Sequence, residues 1–314
     1  MRIGFPKAIS LICAVCLAAA LLCMTALAKG TDASASGYKD VQIYTDGLLT
    51  SRGYMAENTT YVSLTAVCGM VKETVDTEET ANTDETGAPA AEETAAIAEN
   101  ETPAVSAGNT SKPEDGSITA INVAGITVSY TAGDEYLTAN GRYLYVPGGA
   151  RVISGEQCFP VRTLAKIFGL EVSWYGEKAA VELSTENMQV LESGDTFYDA
   201  ADHDLLAHII YAEAGNQCMA GKIGVGNVVL NRVASERFPN TVRDVIYAPG
   251  QFEPVQRGTI NSTANPESVI AAYIAMEGYN TVSGSLFFHN PGSSTGYLSD
   301  SDFVVRIQDH VFFA

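Results

Sequence analysis

The chain has 314 residues, of which 46% are hydrophobic, and it carries a formal net charge of −19. This length leaves room for about two domains, and an acidic chain without a basic, aromatic-interleaved surface is disfavoured as a nucleic-acid binder. Outside the N-terminal 28 residues, Cys68, Cys158 and Cys218 and the four histidines show no spacing typical of metal ligands, so the sequence predicts neither a metal site nor a cofactor.

The N-terminus has the pattern of a secretory signal peptide over residues 1–28. Arg2 and Lys7 flank the start of an apolar stretch, and small residues ending at Ala28 form a cleavage site. A retained membrane anchor is the alternative, although the apolar stretch is short for a membrane span. Three cysteines remain after cleavage and are predicted to pack as small apolar groups: Cys68, Cys158 and Cys218.

Residues 72–116 form an acidic segment, in which twelve Asp or Glu residues stand against Lys72 and Lys112. The remainder is mostly Thr, Ala, Asn, Gly and Pro, with hardly a large apolar side chain. Such a segment cannot bury enough apolar surface to offset the entropy of ordering the chain. We therefore predict that it is disordered, as an insertion without an assigned partner.

Short alternating runs on both sides of the acidic segment predict β-strands. The predicted strands are 41–44, 61–64, 126–130, 143–146, 157–161, 171–174 and 180–183, and the predicted helices begin at Thr65 and span 162–168. These elements predict one small α+β domain over residues 38–184, interrupted by the acidic insertion. Residues 185–201 are predicted to form a linker.

The run from Phe159 to Trp174 resembles the copper-amine-oxidase N-terminal-like domain, a stalk module of many secreted bacterial proteins. Its matching positions include Pro160, Arg162 and Gly169. The resemblance is good over about 118–184 and weaker over 38–71. It implies no copper chemistry; it implies cell-wall association or spacing, with pure scaffolding as the alternative.

Glu213 ends a predicted helix over residues 204–214 and shares its apolar face. The residues three, four and seven positions before it are Ile210, Ile209 and Leu206. At 3.6 residues per turn, all of them lie on one side of the helix. A carboxylate on an apolar face is desolvated, which raises its pKa and keeps it protonated near neutral pH, as a general acid requires.

A buried structural glutamate is the alternative interpretation of Glu213, with an arginine such as Arg232 or Arg243 as its ion-pair partner. The N-cap of the helix is predicted to be Asp202 or Asp204. Two further helices are predicted in this region, over 219–233 and after the Asn265-Pro266 start signal.

Several blocks around and after Glu213 resemble, in order, the SleB-type cell-wall hydrolases, the family that includes spore-cortex-lytic enzymes. These blocks are 211–214, 219–233, 237–247, 251–252, 286–291 and 307–313. The resemblance covers about residues 202–314 and implies a lysozyme-like α+β catalytic domain, with Glu213 in the position of the catalytic acid. It also implies a secreted enzyme of the cell wall or spore envelope, whose partner is the peptidoglycan glycan strand.

Such a glycan is cleaved by protonating the oxygen between N-acetylmuramic acid and N-acetylglucosamine. A hydrolase then needs a second carboxylate, whereas a lytic transglycosylase can use one glutamate, first as acid and then as base on the sugar C6 hydroxyl. Four acids could supply the second carboxylate: Asp244, Glu253, Asp300 and Asp302. Asp244 is expected in a surface ion pair, Asp300 and Asp302 are expected to be exposed loop acids, and the resemblance assigns no catalytic role to Glu253. The lytic transglycosylase is therefore predicted, and the hydrolase is the alternative.

Polar and aromatic residues of the matched blocks fit a sugar-binding groove. The predicted substrate-binding residues are Tyr211, Gln251, Phe252, Phe288, His289, Asn290 and Tyr297. Amide and imidazole groups would hydrogen-bond acetamido and hydroxyl groups, and aromatic rings would stack on sugar rings. Core packing is the alternative for Phe287 or Phe288, since alternate residues of a strand face opposite sides.

The segment around Tyr297 departs from the family pattern, which usually has a tryptophan-centred segment with a basic residue there. The choice between spore cortex and vegetative wall as substrate therefore stays open. A non-catalytic wall-binding protein that keeps the fold for attachment is an alternative from a different functional class.

Overall fold

The computed structural model describes residues 37–83, 118–290 and 302–314. Within these ranges helices and strands are mixed, which confirms the predicted α+β class. The predicted signal peptide and most of the acidic segment lie outside the described residues. No helix in the described ranges is long and apolar enough to cross a membrane.

Seven strands from both sides of the acidic segment form one mixed sheet. Their bounds are β1 Lys39–Thr45, β2 Leu48–Ala56, β3 Thr59–Ser63, β8 Arg151–Ile153, β9 Glu156–Pro160, β10 Glu171–Tyr175 and β11 Ala180–Ser184. Their order is β10-β11-β1-β2-β3-β9-β8, and β1 runs parallel to β11 while the other pairs are antiparallel. The pieces before and after the acidic segment are therefore hydrogen-bonded into one sheet.

A second, antiparallel sheet has four strands in the order β4-β5-β6-β7. Its strands are β4 Ile118–Val123, β5 Ile126–Thr131, β6 Tyr136–Ala139 and β7 Arg142–Tyr145. The turn between β6 and β7 is Asn140-Gly141, with φ angles of 50° and 75°. Two successive positive φ angles define the tight hairpin turn that Asn-Gly favours.

Two helices pack against the large sheet, namely α1 Leu64–Thr83 and α2 Val161–Phe168. Val67, Cys68 and Val71 of α1 are buried in the core that they share with the sheet. Because α1 includes residues 72–83, the prediction of disorder is wrong for the first part of the acidic segment. The buried first turns establish the helix, and extending an established helix gains one hydrogen bond for each residue fixed.

The predicted linker, residues 185–201, is bound along the end of α2. The backbone N–H groups of Gln189 and Leu191 donate to carbonyl oxygens of α2 at 3.0 and 2.9 Å. A short helix, α3 Gly194–Phe197, follows. The connection between the two halves is thus part of the folded structure.

The C-terminal half consists of helices and a three-stranded antiparallel sheet in the order β12-β14-β13. Its elements are α4 Ala200–Ala214, α5 Met219–Ala234, α6 Val242–Tyr247, α7 Glu253–Arg257, α8 Pro266–Met276, β12 Phe287–His289, β13 Phe303–Ile307 and β14 His310–Phe313. The N-cap of α4 is Asp199, whose side chain accepts from the backbone N–H of Asp202, so the predicted N-cap was wrong. Asn265 caps α8 as predicted, by accepting from the N–H of Ser268.

Two glycines bring α5 close to its neighbours. A Cβ at Gly226 would lie 3.0 Å from Ile210 Cδ1 on α4, and a Cβ at Gly224 would lie 2.9 Å from Phe312 Cζ on β14. Carbon atoms in favourable contact are about 3.5–4.0 Å apart. The missing side chains therefore set the spacing between α5, α4 and the C-terminal sheet.

A buried carboxylate joins the two halves of the fold. The side chain of Glu277, directly after α8, is 0% exposed and accepts from Arg142 Nε and Nη2 at 2.5 and 2.9 Å. Lys166 Nζ and the Tyr198 hydroxyl also donate to it, at 2.8 and 2.5 Å. Burial alone would raise the pKa of Glu277, but these hydrogen bonds outweigh burial and hold the pKa below its ordinary value.

Candidate active site

Glu213 lies near the C-terminal end of α4 and is half-buried. The three apolar residues predicted to share its face, Leu206, Ile209 and Ile210, are each 0% exposed. The predicted placement of this carboxylate beside buried apolar side chains is therefore confirmed. The periodicity of the helix is sufficient to explain it, because the face that packs into the core continues up to the carboxylate.

The environment of Glu213 favours the protonated carboxyl group. Burial raises its pKa to about 7, the negative charge of Glu253 adds to the rise, and the positive charge of Arg232 opposes it. No hydrogen bond from a described residue contributes to this balance. A carboxyl group with a pKa near neutral pH can donate a proton and take one back, which is the property of a general acid/base.

The alternative of a structural Glu213 predicted an ion pair with an arginine. Arg243 lies on the exposed side of α6, and its guanidinium is 5.1 Å from the Tyr247 ring centroid. Arg232 is close enough to act on the pKa of Glu213, yet the two side chains form no ion pair. In the part of the chain that the structure describes, Glu213 is a half-buried carboxylate without a bonded cation.

Of the described acids weighed as a second carboxylate, Glu253 is the one that acts on the pKa of Glu213. It begins α7, is exposed, and forms an ion pair with Arg257 at 2.6 Å. Asp244 is exposed in the first turn of α6, where its N–H donates to the Thr241 side chain. Asp300 lies outside the described residues. The backbone carbonyl oxygen of Asp302 accepts a hydrogen bond from the N–H of Ala314 at 2.9 Å.

Four of the residues predicted to bind substrate keep surface accessible to a ligand. Tyr211 on α4 and His289 on β12 are half-buried, while Gln251 and Asn290 are exposed in the segments before α7 and after β12. Tyr297 lies outside the described residues.

Phe252 was predicted to stack on a sugar ring, and this prediction is wrong. Its side chain is only 3% exposed and belongs to the core of the C-terminal half. The guanidinium carbon of Arg232 lies 5.1 Å from its ring centroid. The ring packs inward because its hydrophobic area contributes more when it covers a buried cation and the core than when it faces water.

Strand β12 divides its aromatic residues between two sides. Phe288 is half-buried and packs against the core, with Phe312 and His310 at centroid distances of 5.8 and 5.1 Å, which supports the alternative of core packing. Its role in sugar stacking stays a prediction. Phe287 lies on the other side, 5.6 Å from the Arg232 guanidinium carbon. His289 alternates with Phe288 and so shares the side of Phe287; its ring stacks on Phe313 at 5.0 Å.

Sequence reasoning missed the surroundings of Arg232, which include Phe238 and Phe287. Two features of the sequence could have pointed to them: the alternation of residues in β12, and the position of Arg232 directly after the buried residues of α5. No sequence spacing, however, predicts that these distant segments meet. Within the described ranges, no group of His, Cys, Asp and Glu side chains could hold a metal ion.

The fold and the site together describe an α+β protein whose C-terminal half holds a half-buried carboxyl group with a pKa near 7. Residues 216–313 match the family described as Cell Wall Hydrolase, and residues 103–183 match the family described as Copper amine oxidase N-terminal domain. Glu213 lies just before the first of these matched ranges.

Named relatives match the same C-terminal region. The Spore cortex-lytic enzyme of Bacillus cereus is 33% identical over 116 residues, which cover 37% of this chain and 45% of that protein. Cell wall hydrolase CwlJ of Bacillus subtilis is 30% identical over 121 residues, which cover 36% of this chain and 85% of that protein. The chain belongs to the cell wall hydrolase family, as its sequence motifs predicted, and carries a copper amine oxidase N-terminal domain before the hydrolase domain.

Among solved structures, the catalytic domain of the Bacillus cereus SleB protein is 32% identical. The match covers 37% of this chain and 92% of that domain, with a TM-score of 0.35. The match to the spore cortex-lytic enzyme of Bacillus cereus spans less than half of that relative's length, 45%.

Proposed function

We propose that this chain cleaves peptidoglycan glycan strands between N-acetylmuramic acid and N-acetylglucosamine, with Glu213 as general acid/base. The observation that carries the proposal is the half-buried Glu213 carboxyl group, whose pKa is raised to about 7. The relatives named spore cortex-lytic enzymes and cell wall hydrolases support the choice of substrate. On the same grounds, the site of action is the cell wall or spore envelope.

The reaction that best fits one buried carboxyl group is that of a lytic transglycosylase. Glu213 gives its proton to the glycosidic oxygen as the bond to C1 of N-acetylmuramic acid breaks. The resulting carboxylate then takes the proton of the C6 hydroxyl of the same sugar, whose oxygen bonds to C1. The products are a 1,6-anhydro end and a free 4-hydroxyl, and Glu213 is protonated again for the next cycle.

A muramidase-type hydrolase is the second candidate, because Glu253 acts electrostatically on Glu213. In that reaction Glu253 would serve as nucleophile or as base for water, and the product would carry a reducing end. Glu253 is exposed and paired with Arg257 at 2.6 Å, whereas a catalytic carboxylate gains from being held for the reacting atoms. This difference favours the transglycosylase.

Substrate binding is proposed for accessible groups beside the site. Tyr211 offers a ring face, and Gln251, His289 and Asn290 offer hydrogen-bonding groups for acetamido and hydroxyl substituents. Tyr297 stays a proposed stacking residue from its position in the sequence alone. The N-terminal domain, proposed over residues 38–184, would hold the enzyme at the wall as a stalk.

The deciding experiment is mass spectrometry of the muropeptides that the full chain releases from purified peptidoglycan. Anhydro ends from the wild type and from Glu253→Gln, with no release by Glu213→Gln, are the expected result. Reducing ends, with both variants inactive, would replace the transglycosylase by the two-carboxylate hydrolase. Glycan that is bound but intact would replace both by a wall-binding protein.

A further inference from the structure

Arg232, near the C-terminal end of α5, is a buried cation without an ion-pair partner among the described residues. The residue is only 5% exposed. Nε donates to the carbonyl oxygen of Leu286 at 2.8 Å, while Nη1 is buried and has no hydrogen-bond partner among the residues that the structure describes. An unpaired buried charge is strongly unfavourable, so a cation in this position needs a nearby anion or a special environment.

Three phenylalanine rings surround this cation. The guanidinium carbon lies 5.0 Å from the ring centroid of Phe238, 5.1 Å from that of Phe252 and 5.6 Å from that of Phe287. Ring faces attract a cation without neutralising its charge, and they exclude the water that would otherwise screen it. Burial lowers the pKa of Arg232 to about 10, so the guanidinium stays charged at neutral pH.

The positive charge of Arg232 acts on the pKa of the Glu213 carboxyl group. Helices α4 and α5 pack on each other, and the charge of each side chain acts on the pKa of the other. From α7, the negative charge of Glu253 acts on Glu213 in the opposite direction. Two charges therefore act on the pKa of Glu213 in opposite directions, one caged and one exposed.

The other charged groups on the helices packed against α4 face solvent or are paired, as Arg257 of α7 is with Glu253 at 2.6 Å. On α6, Arg243 and Asp244 face solvent. On α8, Glu267 is paired with the buried Lys222. Among the described residues, Arg232 and Glu253 are thus the two charges that modify the pKa of Glu213, which burial raises most.

We propose that Arg232 is a positioning residue whose caged guanidinium is the counter-charge for the Glu213 carboxylate, formed each time Glu213 has given up its proton. The inference rests on the proposed function of Glu213. Arg232 stabilises the carboxylate long enough for it to accept a proton from the attacking hydroxyl group. Glu253 favours the protonated acid that begins the cycle, so the two charges together let one carboxyl group serve both steps at one pH.

The test follows the titration of Glu213 in the full chain by carbon-13 NMR of labelled glutamate side chains, with Glu213→Gln used to assign the signal. Arg232→Met removes the charge but keeps an apolar chain among the rings, and it is expected to raise the titration midpoint by about one pH unit. Glu253→Gln is expected to lower it. Arg243→Gln, the matched removal of an exposed arginine, should leave the midpoint unchanged.

A merely structural Arg232 would not produce opposite shifts from the Arg232 and Glu253 variants. If a folded Arg232→Met protein titrates Glu213 at the wild-type pH, the proposal is overturned. Should Arg232→Met fail to fold, Arg232→Lys decides by reciprocity: the pKa of the introduced lysine should fall when Glu213→Gln is added, and an unchanged pKa overturns the proposal. Activity of the Glu213→Gln enzyme would refute the proposed function separately, since these titrations do not depend on turnover.

Discussion

Two glutamates of the C-terminal half differ in the hydrogen-bond donors around their carboxyl groups. Glu277 accepts hydrogen bonds from Arg142, Lys166 and Tyr198, and its pKa is held below the ordinary value. Glu213 has no such donors among the described residues, and burial raises its pKa to about 7. Burial therefore does not determine the use of a carboxylate; the number of donors around it decides whether it fixes the structure or exchanges protons.

The largest expected effect comes from Glu213→Gln. The amide keeps the size of the side chain but has no transferable proton, so turnover on peptidoglycan should fall at least about 100-fold. Because the side chain makes no ion pair with any described residue, the free energy of unfolding should not decrease. Muropeptide release and chemical denaturation would be measured on the same protein. A variant that turns over at the wild-type rate would remove Glu213 from the reaction.

Glu277→Gln should produce the reverse pattern. The substitution leaves the buried Arg142 and the partly buried Lys166 without their counter-charge, and breaking such a buried network reduces the free energy of unfolding by about 3 kcal/mol. Glu57→Gln is the control, because Glu57 is 81% exposed in its pair with Arg151 and should contribute less than about 1 kcal/mol. Equal denaturation midpoints for the two variants would contradict the structural role of Glu277.

The smallest expected effect is a pH dependence of stability with opposite signs at the two carboxylates. The folded-state pKa of Glu213 lies above its ordinary value of 4.5, so the folded protein binds the extra proton and loses stability as pH rises from about 4.5 to about 7. The folded-state pKa of Glu277 lies below 4.5, so its contribution is present above that pH and is lost as pH falls through the folded-state pKa.

Unfolding measured from about pH 5 to about pH 8 separates the two signs. Relative to wild type, Glu213→Gln should become progressively more stable toward the alkaline end of this range. Glu277→Gln should show its deficit throughout the range, because both its ends lie above the ordinary pKa of 4.5. A Glu213→Gln protein whose stability runs parallel to wild type would mean that burial does not raise this pKa.

Periodicity was enough to predict the elements that depend on neighbouring residues. The apolar face of α4 and the Asn265 cap of α8 are local patterns, and both are present in the structure. Before the C-terminal half, strands β2, β4, β6 and β8 were missed, although the Asn140-Gly141 hairpin signal marks the end of β6.

The site itself could be predicted only in part. Glu213 follows from helix geometry, but the aromatic surroundings of Arg232 bring together Phe238, Phe252 and Phe287 from three distant segments. Phe252 shows the same limit, since its position next to the accessible Gln251 gave no sign that the ring turns inward. Tertiary packing, and not sequence spacing, decides these contacts.

The glycines of α5 place a limit on engineering this protein for heat resistance. Replacing a helical glycine by alanine usually stabilises a helix by about 1 kcal/mol, which makes such positions attractive to a designer. At Gly224 and Gly226 the added methyl group would press on Phe312 or on Ile210, one helical turn from Glu213. Gly69 on α1 meets nothing within 4 Å at the same position and is exposed. Thermostabilising substitutions belong at Gly69, and the two glycines of α5 should be left as they are.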